Sequence, residues 1–314
     1  QSIHQKRSSK MQTAPDITPR SWIMVAVLGL IWGSTFLVIK VALEGITPFW
    51  LAAGRISFAA LLTTAVWGLR GWRFHLGPER DWGGLIIVAL LSTAVPFQLL
   101  SWGQQYVTSA FAGVSMASVS LFVLPLAHIL LPGEQITRRR LLGFVIGFIG
   151  VVVLLGQQSL TSTGAMLEWP GRIACVMAAS CYAISSVFMR RLPPIDAIGL
   201  AAVPLIIGSF FVVAVAFAIE GPPPLPSGET LMILAFLGII PTAGANLLRV
   251  LVVRSAGPVF MTLTNYQVPM WSVILGILVL GESFHASLLV ALGFILCGVC
   301  LSQYGALKRL FGQE

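Results

Sequence analysis

Long stretches without Asp, Glu, Lys or Arg most restrict how this chain folds. Seven such runs of 17 to 27 residues cover 22–39, 141–167, 173–189, 197–219, 231–248, 255–281 and 286–307. About 20 helical residues cross a hydrocarbon core about 30 Å thick. Each run therefore predicts a helix that crosses a membrane or nearly does so.

Three further spans complete the prediction. The uncharged stretch 82–133 has 52 residues, too many for one helix and too few for three. Polar residues near its middle predict a tight turn between two spans, and these are Gln104, Gln105, Tyr106, Thr108 and Ser109. Another span covers about 47–69 and carries Arg55 near one end. We therefore expect an all-α integral membrane protein with ten transmembrane helices and no soluble domain.

The distribution of basic residues predicts orientation. The chain is 57% hydrophobic and 10% charged, with a formal charge of +8, whereas an average soluble domain has about 25% charged residues. With the N-terminus in the cytoplasm, 16 of the 19 Lys and Arg residues lie on that side, and Lys40, Arg55 and Arg172 on the other. This asymmetry predicts a multi-pass protein of the bacterial inner membrane with both termini cytoplasmic. It argues against a nucleic acid partner.

The chain also contains an internal repeat. A shift of 148 residues pairs identical residues: Ile129 with Ile277, Leu130 with Leu278, Gly133 with Gly281, Glu134 with Glu282, Leu141 with Leu289, Gly150 with Gly298 and Val151 with Val299. Small changes of register place Trp32 opposite Tyr182 and Pro96 opposite Pro241. We predict four segments: a tail at 1–20 whose residues 1–10 look like an expression remnant, five-helix repeats at 21–157 and 168–307, and a tail at 308–314.

An odd number of spans in each half makes the second repeat enter the membrane in the opposite sense. Secondary transporters commonly use such a 5+5 inverted repeat, because two related halves can exchange inward-open and outward-open conformations. Duplication also arises for structural reasons alone. We favour alternating-access transport of a small-molecule substrate.

Several short motifs occur in a fixed order along the chain: Trp32, Gly33, Ser34, Thr35, Phe36 and Lys40 in the first helix, Arg55 in the second, and the pairs Gly133-Glu134 and Gly281-Glu282. Together they resemble the EamA-like members of the drug/metabolite transporter superfamily, and the resemblance covers residues 21 to about 307. The resemblance implies a bundle whose central cavity is lined by helices one, three, four, six, eight and nine. Among such proteins, the aromatic-rich cavity helices are most similar to an aromatic amino acid exporter.

Polar and aromatic groups at midplane depth are the candidate substrate-binding residues. They are Trp32, Ser34, Gln98, Trp102, Ser118, Tyr182, Ser186, Asn246, Tyr266 and Gln267. The alternative for a serine is a hydrogen bond to a backbone carbonyl of its own helix. The alternative for a tryptophan is a place at the membrane interface.

Pro96 and Pro241 are candidate gating hinges, because proline frees a backbone carbonyl within a helix. Static kinks are the alternative. All eleven acidic residues lie in tails, loops or span ends. We therefore predict uncoupled or weakly coupled export of amino acids, aromatic and other neutral ones, or of similar metabolites.

Other readings are weaker. A carrier of drugs or hydrophobic cations is expected to have a buried Glu in helix one, and a nucleotide-sugar carrier more basic cavity residues. An intramembrane enzyme would need a catalytic or metal constellation, and none is present in the sequence. A sensor or assembly subunit would need no solvated cavity. No cofactor or metal is expected, and the sequence is compatible with a monomer or a homodimer.

Overall fold

The computed structural model describes residues 17–74, 81–130, 136–156, 166–192, 195–283 and 286–311. These residues fold as helices joined by short connections. We number the helical stretches α1 Pro19–Ala42, α2 Pro48–Leu69, α3 Trp82–Gly103, α4 Ser109–Leu130, α5 Arg138–Gly156, α6 Glu168–Arg191, α7 Ala197–Glu220, α8 (built from Gly228–Gly238, Ile239–Gly244 and Ala245–Met261), α9 Thr264–Leu280 and α10 Ala286–Phe311.

Eight of these stretches are long and apolar enough to cross a membrane: α1 to α4, α6 to α8 and α10. α9 is apolar but has 17 residues. α5 has 19 residues and begins with three arginines. The all-helical membrane architecture is thus confirmed for the described residues, and the full count of ten spans stays a prediction.

Local sequence explains where several helices begin and end. Thr18 and Ser21 form a capping box at the start of α1, which satisfies backbone N–H groups that lack helical partners. Thr108 and Ser227 accept hydrogen bonds in the same way at α4 and α8. α9 ends at Gly281, whose φ of 63° is a left-handed conformation that favours glycine.

Helix packing follows the sequence repeat. α2 packs against α7, α4 against α9, and α5 against α10. α4 packs against α6, and its counterpart α9 packs against α1, which is the counterpart of α6. Likewise, α3 contacts α6 and α7, and its counterpart α8 contacts α1 and α2. Exchanging each helix for its counterpart in the other repeat leaves this pattern unchanged. The two halves therefore interleave.

Glycines bring α5 and α10 into close contact. A Cβ on Gly298 would lie 2.4 Å from the Gly143 carbonyl oxygen, and one on Gly150 would lie 2.8 Å from the Ala291 carbonyl oxygen. Gly150 and Gly298 are counterparts in the repeat. Small residues therefore set the distance between these two helices, in the manner typical of membrane interfaces.

π-helical turns interrupt α3 and α8 at corresponding depths. They cover Leu90–Ala94 and Ile239–Gly244. Each ends with a backbone hydrogen bond that spans five residues, from the Val95 N–H to the Leu90 oxygen and from the Ala245 N–H to the Ile240 oxygen. Such turns widen a helix locally and occur frequently at functional sites.

Candidate functional site

The π-helical turn of α8 is the point where several predicted site residues meet. The Trp32 indole Nε1 donates a hydrogen bond of 3.0 Å to the Pro241 carbonyl oxygen. Asn246 Nδ2 donates to the Thr242 carbonyl oxygen at 2.6 Å. Side chains of α1 and α8 thus donate to backbone carbonyls of this turn.

Arg55 from α2 reaches the same turn. Its Nε donates to the Thr242 hydroxyl at 2.9 Å, and the Thr242 hydroxyl in turn donates to the Leu237 carbonyl oxygen at 2.8 Å. The Arg55 guanidinium carbon lies 3.9 Å from the centroid of the Phe97 ring of α3. This is a cation–π contact, which is stronger where water is excluded.

Arg55 is 5% exposed. The side chain therefore lies inside the bundle, and the position of Arg55 toward the membrane face opposite the N-terminus stays a prediction. The hydrogen bond to Thr242 and the ring of Phe97 hold the side chain inside the bundle.

Tyr182 from α6 completes the surroundings of Arg55. It packs against the apolar cluster that contains Phe97 and also against the cluster that contains Phe36 and Phe111. Its phenol lies within electrostatic range of the Arg55 guanidinium. Residues of α1, α2, α3, α6 and α8 therefore converge around one turn. We call Trp32, Arg55, Phe97, Tyr182 and Thr242 the central site.

Other predicted residues lie in different surroundings. Ser34 and Ser186 donate to the carbonyl oxygens of Ile31 and Ala183 in their own helices. The Trp102 ring contacts the Tyr106 ring edge-on at 5.2 Å, at the end of α3. The substrate-binding roles of these residues stay predictions.

Four more candidates are partly or fully buried. Gln267 lies over Gly29, since a Cβ there would be 2.5 Å from the Gln267 Oε1 atom. Tyr266 packs against the cluster that contains Phe36. Gln98 and Ser118 are buried, and Gln98 Nε2 and Ser118 Oγ have no hydrogen-bond partner within the part of the chain that the structure describes.

One end of the bundle is closed by polar contacts. We call it the glutamate end, where α1 ends and α4 begins. Lys40 Nζ donates to the carbonyl oxygens of Gln104 and Val107 at 2.7 and 3.1 Å. The Glu282 carboxylate accepts hydrogen bonds from the Ser109 and Ala110 N–H groups at 2.6 and 3.1 Å.

Lys40, Gln104, Val107, Ser109 and Glu282 together form what we call the clasp. It joins α1, the α3–α4 turn and α9. Glu282 sits at the N-terminus of α4, where a negative charge is favourable. The left-handed Gly281 ends α9 directly before Glu282. The corresponding pair Gly133-Glu134 lies outside the described residues.

The opposite end of the bundle contains a cavity of about 830 Å³. We call this the arginine end, where α5 begins and α6 ends. Ser120 and Ala127 of α4, Ser302 of α10 and the basic residues Arg138, Arg139, Arg140 and Arg190 line the cavity. We call this space the vestibule. Asn265 Nδ2 donates to Ser120 Oγ at 3.3 Å and so connects α9 with the vestibule wall.

The positions of the acidic residues agree with the sequence expectation throughout the described residues. Asp81 and Asp196 cap helices, and Glu168, Glu220 and Glu229 lie in first or last turns. Glu44 and Glu282 are each the second residue after the end of a helix. Asp16, Glu79, Glu134 and Glu314 lie outside the described residues.

Two sets of contacts lie outside the sequence expectations. The sequence analysis counts Arg55 among the charges at one face, although it stands eight positions into an otherwise uncharged helix. The bonding of Glu282 to α4 was also missed, because the contact joins residues 173 positions apart. Isolation of a charge within an apolar helix was the available signal for Arg55.

Comparison with known proteins agrees with this architecture. The sequence profile of the EamA-like transporter family matches residues 20–156 and again residues 169–304. The "Uncharacterized inner membrane transporter YedA" of Escherichia coli K12 is 28% identical over 286 residues, which cover 90% of each chain. The "Uncharacterized transporter YoaV" of Bacillus subtilis is 23% identical over 294 residues, covering 91% of this chain and 98% of that protein.

The fold is also similar to a solved structure. A crystal structure aligns with a TM-score of 0.61 and 20% sequence identity, over 91% of this chain and 98% of the other. At this identity, the likeness concerns the fold alone.

Proposed function

Because this chain belongs to the EamA-like transporter family, we propose that it exports neutral amino acids with large side chains, or similar amphipathic metabolites, from the bacterial cytoplasm by alternating access. One observation carries this proposal. The clasp closes the glutamate end while the vestibule opens at the arginine end of an interleaved, duplicated bundle. A carrier that is open to one side at a time has this arrangement.

The π-helical turns are suited to the conformational exchange. Helix irregularities concentrate bending at few residues, and these two turns occupy corresponding places in the two repeats. Pro241 lies within one turn and Pro96 follows the other by two residues. We propose that α3 and α8 bend at these turns as access alternates.

The orientation follows from the charges. Loops rich in Lys and Arg stay in the cytoplasm, and the arginine end has Arg20, Arg70, Arg73, Arg138, Arg139, Arg140, Arg190, Arg191 and Lys308. On this orientation both termini are cytoplasmic. On the same orientation, the vestibule opens to the cytoplasm.

The central site supports an amphipathic substrate. Trp32 and Tyr182 are partly exposed aromatic residues, while Arg55 and Thr242 offer polar groups. Pockets for small molecules typically combine mostly apolar walls with a few placed polar groups. A hydrophobic cation fits poorly beside the positive Arg55, which argues against the drug-type alternative.

Transport in proteoliposomes tests the proposal. Purified protein should give saturable uptake of labelled phenylalanine and tryptophan above that of protein-free liposomes, with a counterflow stimulation by unlabelled substrate inside. Trp32→Phe should lower this uptake because it removes the hydrogen bond to Pro241. Trp169→Phe, which changes an exposed ring, is the matched control. Uptake equal to that of empty liposomes for all amino acids would refute amino-acid export.

A further inference from the structure

The electrostatic surroundings of Arg55 are unusual for a membrane-spanning helix. The side chain is 5% exposed, and its charge faces a neutral hydroxyl and an aromatic ring. No described carboxylate forms an ion pair with it. Removing a charge from water without an opposite charge carries a large free-energy cost. Such a residue within a membrane marks a substrate or ion pathway more often than a packing role.

A second buried arginine in the same chain shows the contrast. Arg172 of α6 is 2% exposed, and it pairs with the buried carboxylate of Glu168 one turn earlier. It also donates to the Leu155 carbonyl oxygen. This arginine therefore has its counter-charge within the protein. Arg55 has the same burial, and the described acidic residues all lie at helix ends away from it.

The Arg55 guanidinium has donors that no described residue uses. Only Nε of the guanidinium is engaged by Thr242, and its terminal nitrogens have no hydrogen bond to the described residues. Gln98, one residue after Phe97 on α3, is 7% exposed and has an unpartnered Nε2 donor. Two buried donor groups thus have unused hydrogen-bonding capacity on neighbouring helices.

We propose that Arg55 binds the carboxylate of the transported solute. This inference rests on the proposed function, since the ligand is the solute that the carrier moves. The planar guanidinium matches a carboxylate, with which it forms paired hydrogen bonds. One guanidinium balances one negative charge, so a monoanionic group fits. The partly exposed Tyr182 then contacts the apolar part of the solute.

The binding position lies beside the proposed hinge of α8. Arg55 contacts Thr242 within the π-helical turn of that helix. A carboxylate bound to the terminal nitrogens of Arg55 is therefore next to the segment that we propose bends during the transport cycle.

Competition by two fragments of phenylalanine tests this assignment. 3-Phenylpropionate has the carboxylate without the ammonium group, and 2-phenylethylamine has the ammonium group without the carboxylate. In wild-type proteoliposomes, 3-phenylpropionate should compete with labelled phenylalanine. In Arg55→Met it should compete at least about tenfold more weakly, while competition by the cation 2-phenylethylamine, which the positive Arg55 disfavours in the wild type, should not weaken. Arg55→Lys should retain part of the carboxylate competition.

A double variant provides the matched control. Glu168→Gln combined with Arg172→Met removes the buried ion pair as a unit and leaves no unpaired charge. Competition by 3-phenylpropionate should equal that of the wild type in this variant. Equal loss in the control and in Arg55→Met would overturn the assignment, because the effect would then be a general consequence of losing a buried arginine.

A binding measurement separates this inference from amino-acid export. Thermal unfolding of the purified protein should shift upward with 3-phenylpropionate in the wild type and not in Arg55→Met. That result upholds the carboxylate site even where phenylalanine flux is absent. Wild-type flux with equal 3-phenylpropionate competition in Arg55→Met would overturn the site and leave transport standing. If Arg55→Met does not fold, Thr242→Val, which removes the hydroxyl bonded to Nε, should weaken the competition several-fold, and an unchanged value would overturn the site.

Discussion

Glycine residues allow α5 and α10 to approach each other closely. A methyl group on Gly298 would lie 2.4 Å from the Gly143 carbonyl oxygen and the Gly147 nitrogen. Those atoms belong to the backbone of α5 and have little freedom to move. By contrast, a Cβ on Gly293, in the same helix, would meet nothing within 4 Å.

Gly298→Ala should therefore destabilise the protein and Gly293→Ala should not. Overpacking at a rigid contact typically costs about 1–3 kcal/mol. Thermal unfolding in detergent should show a lower midpoint for Gly298→Ala alone. Equal midpoints for the two variants would mean that α5 and α10 are not in the close contact described.

Trp32 links α1 to the π-helical turn of α8. Replacing it with Phe keeps most of the ring surface and removes the donor to the Pro241 oxygen. We expect a stability loss of about 1 kcal/mol, because a buried carbonyl loses its partner. Chemical unfolding of Trp32→Phe beside Trp169→Phe measures this difference, and identical unfolding free energies would show that the hydrogen bond contributes nothing.

Contacts at the helix ends are the ones that we expect to change as access alternates. The clasp closes the glutamate end, and Cys175 lies beneath it, fully buried. A Cβ on Gly103, next to Gln104 of the clasp, would lie 3.2 Å from the Cys175 sulfur. The thiol of Cys175 is thus a native reporter of opening at this end.

Glu282→Gln should increase the rate at which a maleimide reagent labels Cys175. The substitution removes the negative charge that accepts from the N–H groups of Ser109 and Ala110, so the closed end loses charge-assisted hydrogen bonds. The measurement needs a variant in which Cys181, Cys297 and Cys300 are replaced by serine. Glu229→Gln, at an exposed position, should leave the labelling rate unchanged.

Pro241 offers a test of the hinge. Pro241→Ala restores a backbone donor inside the π-helical turn, so α8 should bend less readily. We expect turnover of labelled phenylalanine to fall several-fold, with a smaller change in the concentration for half-maximal flux. Pro204→Ala changes a proline inside α7, which has no π-helical turn, and should affect turnover less. Equal effects would argue against a hinge at residue 241.

The sequence predicts the helices well because their signal is local. Uncharged runs of about 20 residues and the polar turn at 104–108 depend on neighbours along the chain, and the structure has a turn after Gly103. The π-helical turns could be predicted only as irregularities near Pro96 and Pro241. Contacts such as Arg55 with Thr242 and Glu282 with Ser109 join distant residues, so no local pattern identifies them.

The positions of the acidic residues in the whole bundle bear on how transport is coupled to an ion gradient. No described acidic residue lies in the interior of a membrane-spanning helix, and proton- or sodium-coupled carriers commonly rely on such a group. We therefore expect phenylalanine flux to persist when an ionophore collapses the proton gradient at a fixed phenylalanine gradient. Flux abolished by the ionophore under these conditions would contradict uncoupled export.

Alternating access is the central claim, and distances between spin labels at the two ends test it most directly. In a variant whose native cysteines are replaced by serine, labels on Gln105→Cys and Ser283→Cys report on the glutamate end, and labels on Arg191→Cys and Lys308→Cys report on the arginine end. Saturating phenylalanine should create a longer distance population at the glutamate end and a shorter one at the arginine end. Distributions that stay unchanged at both ends, in protein that transports phenylalanine, would contradict the account.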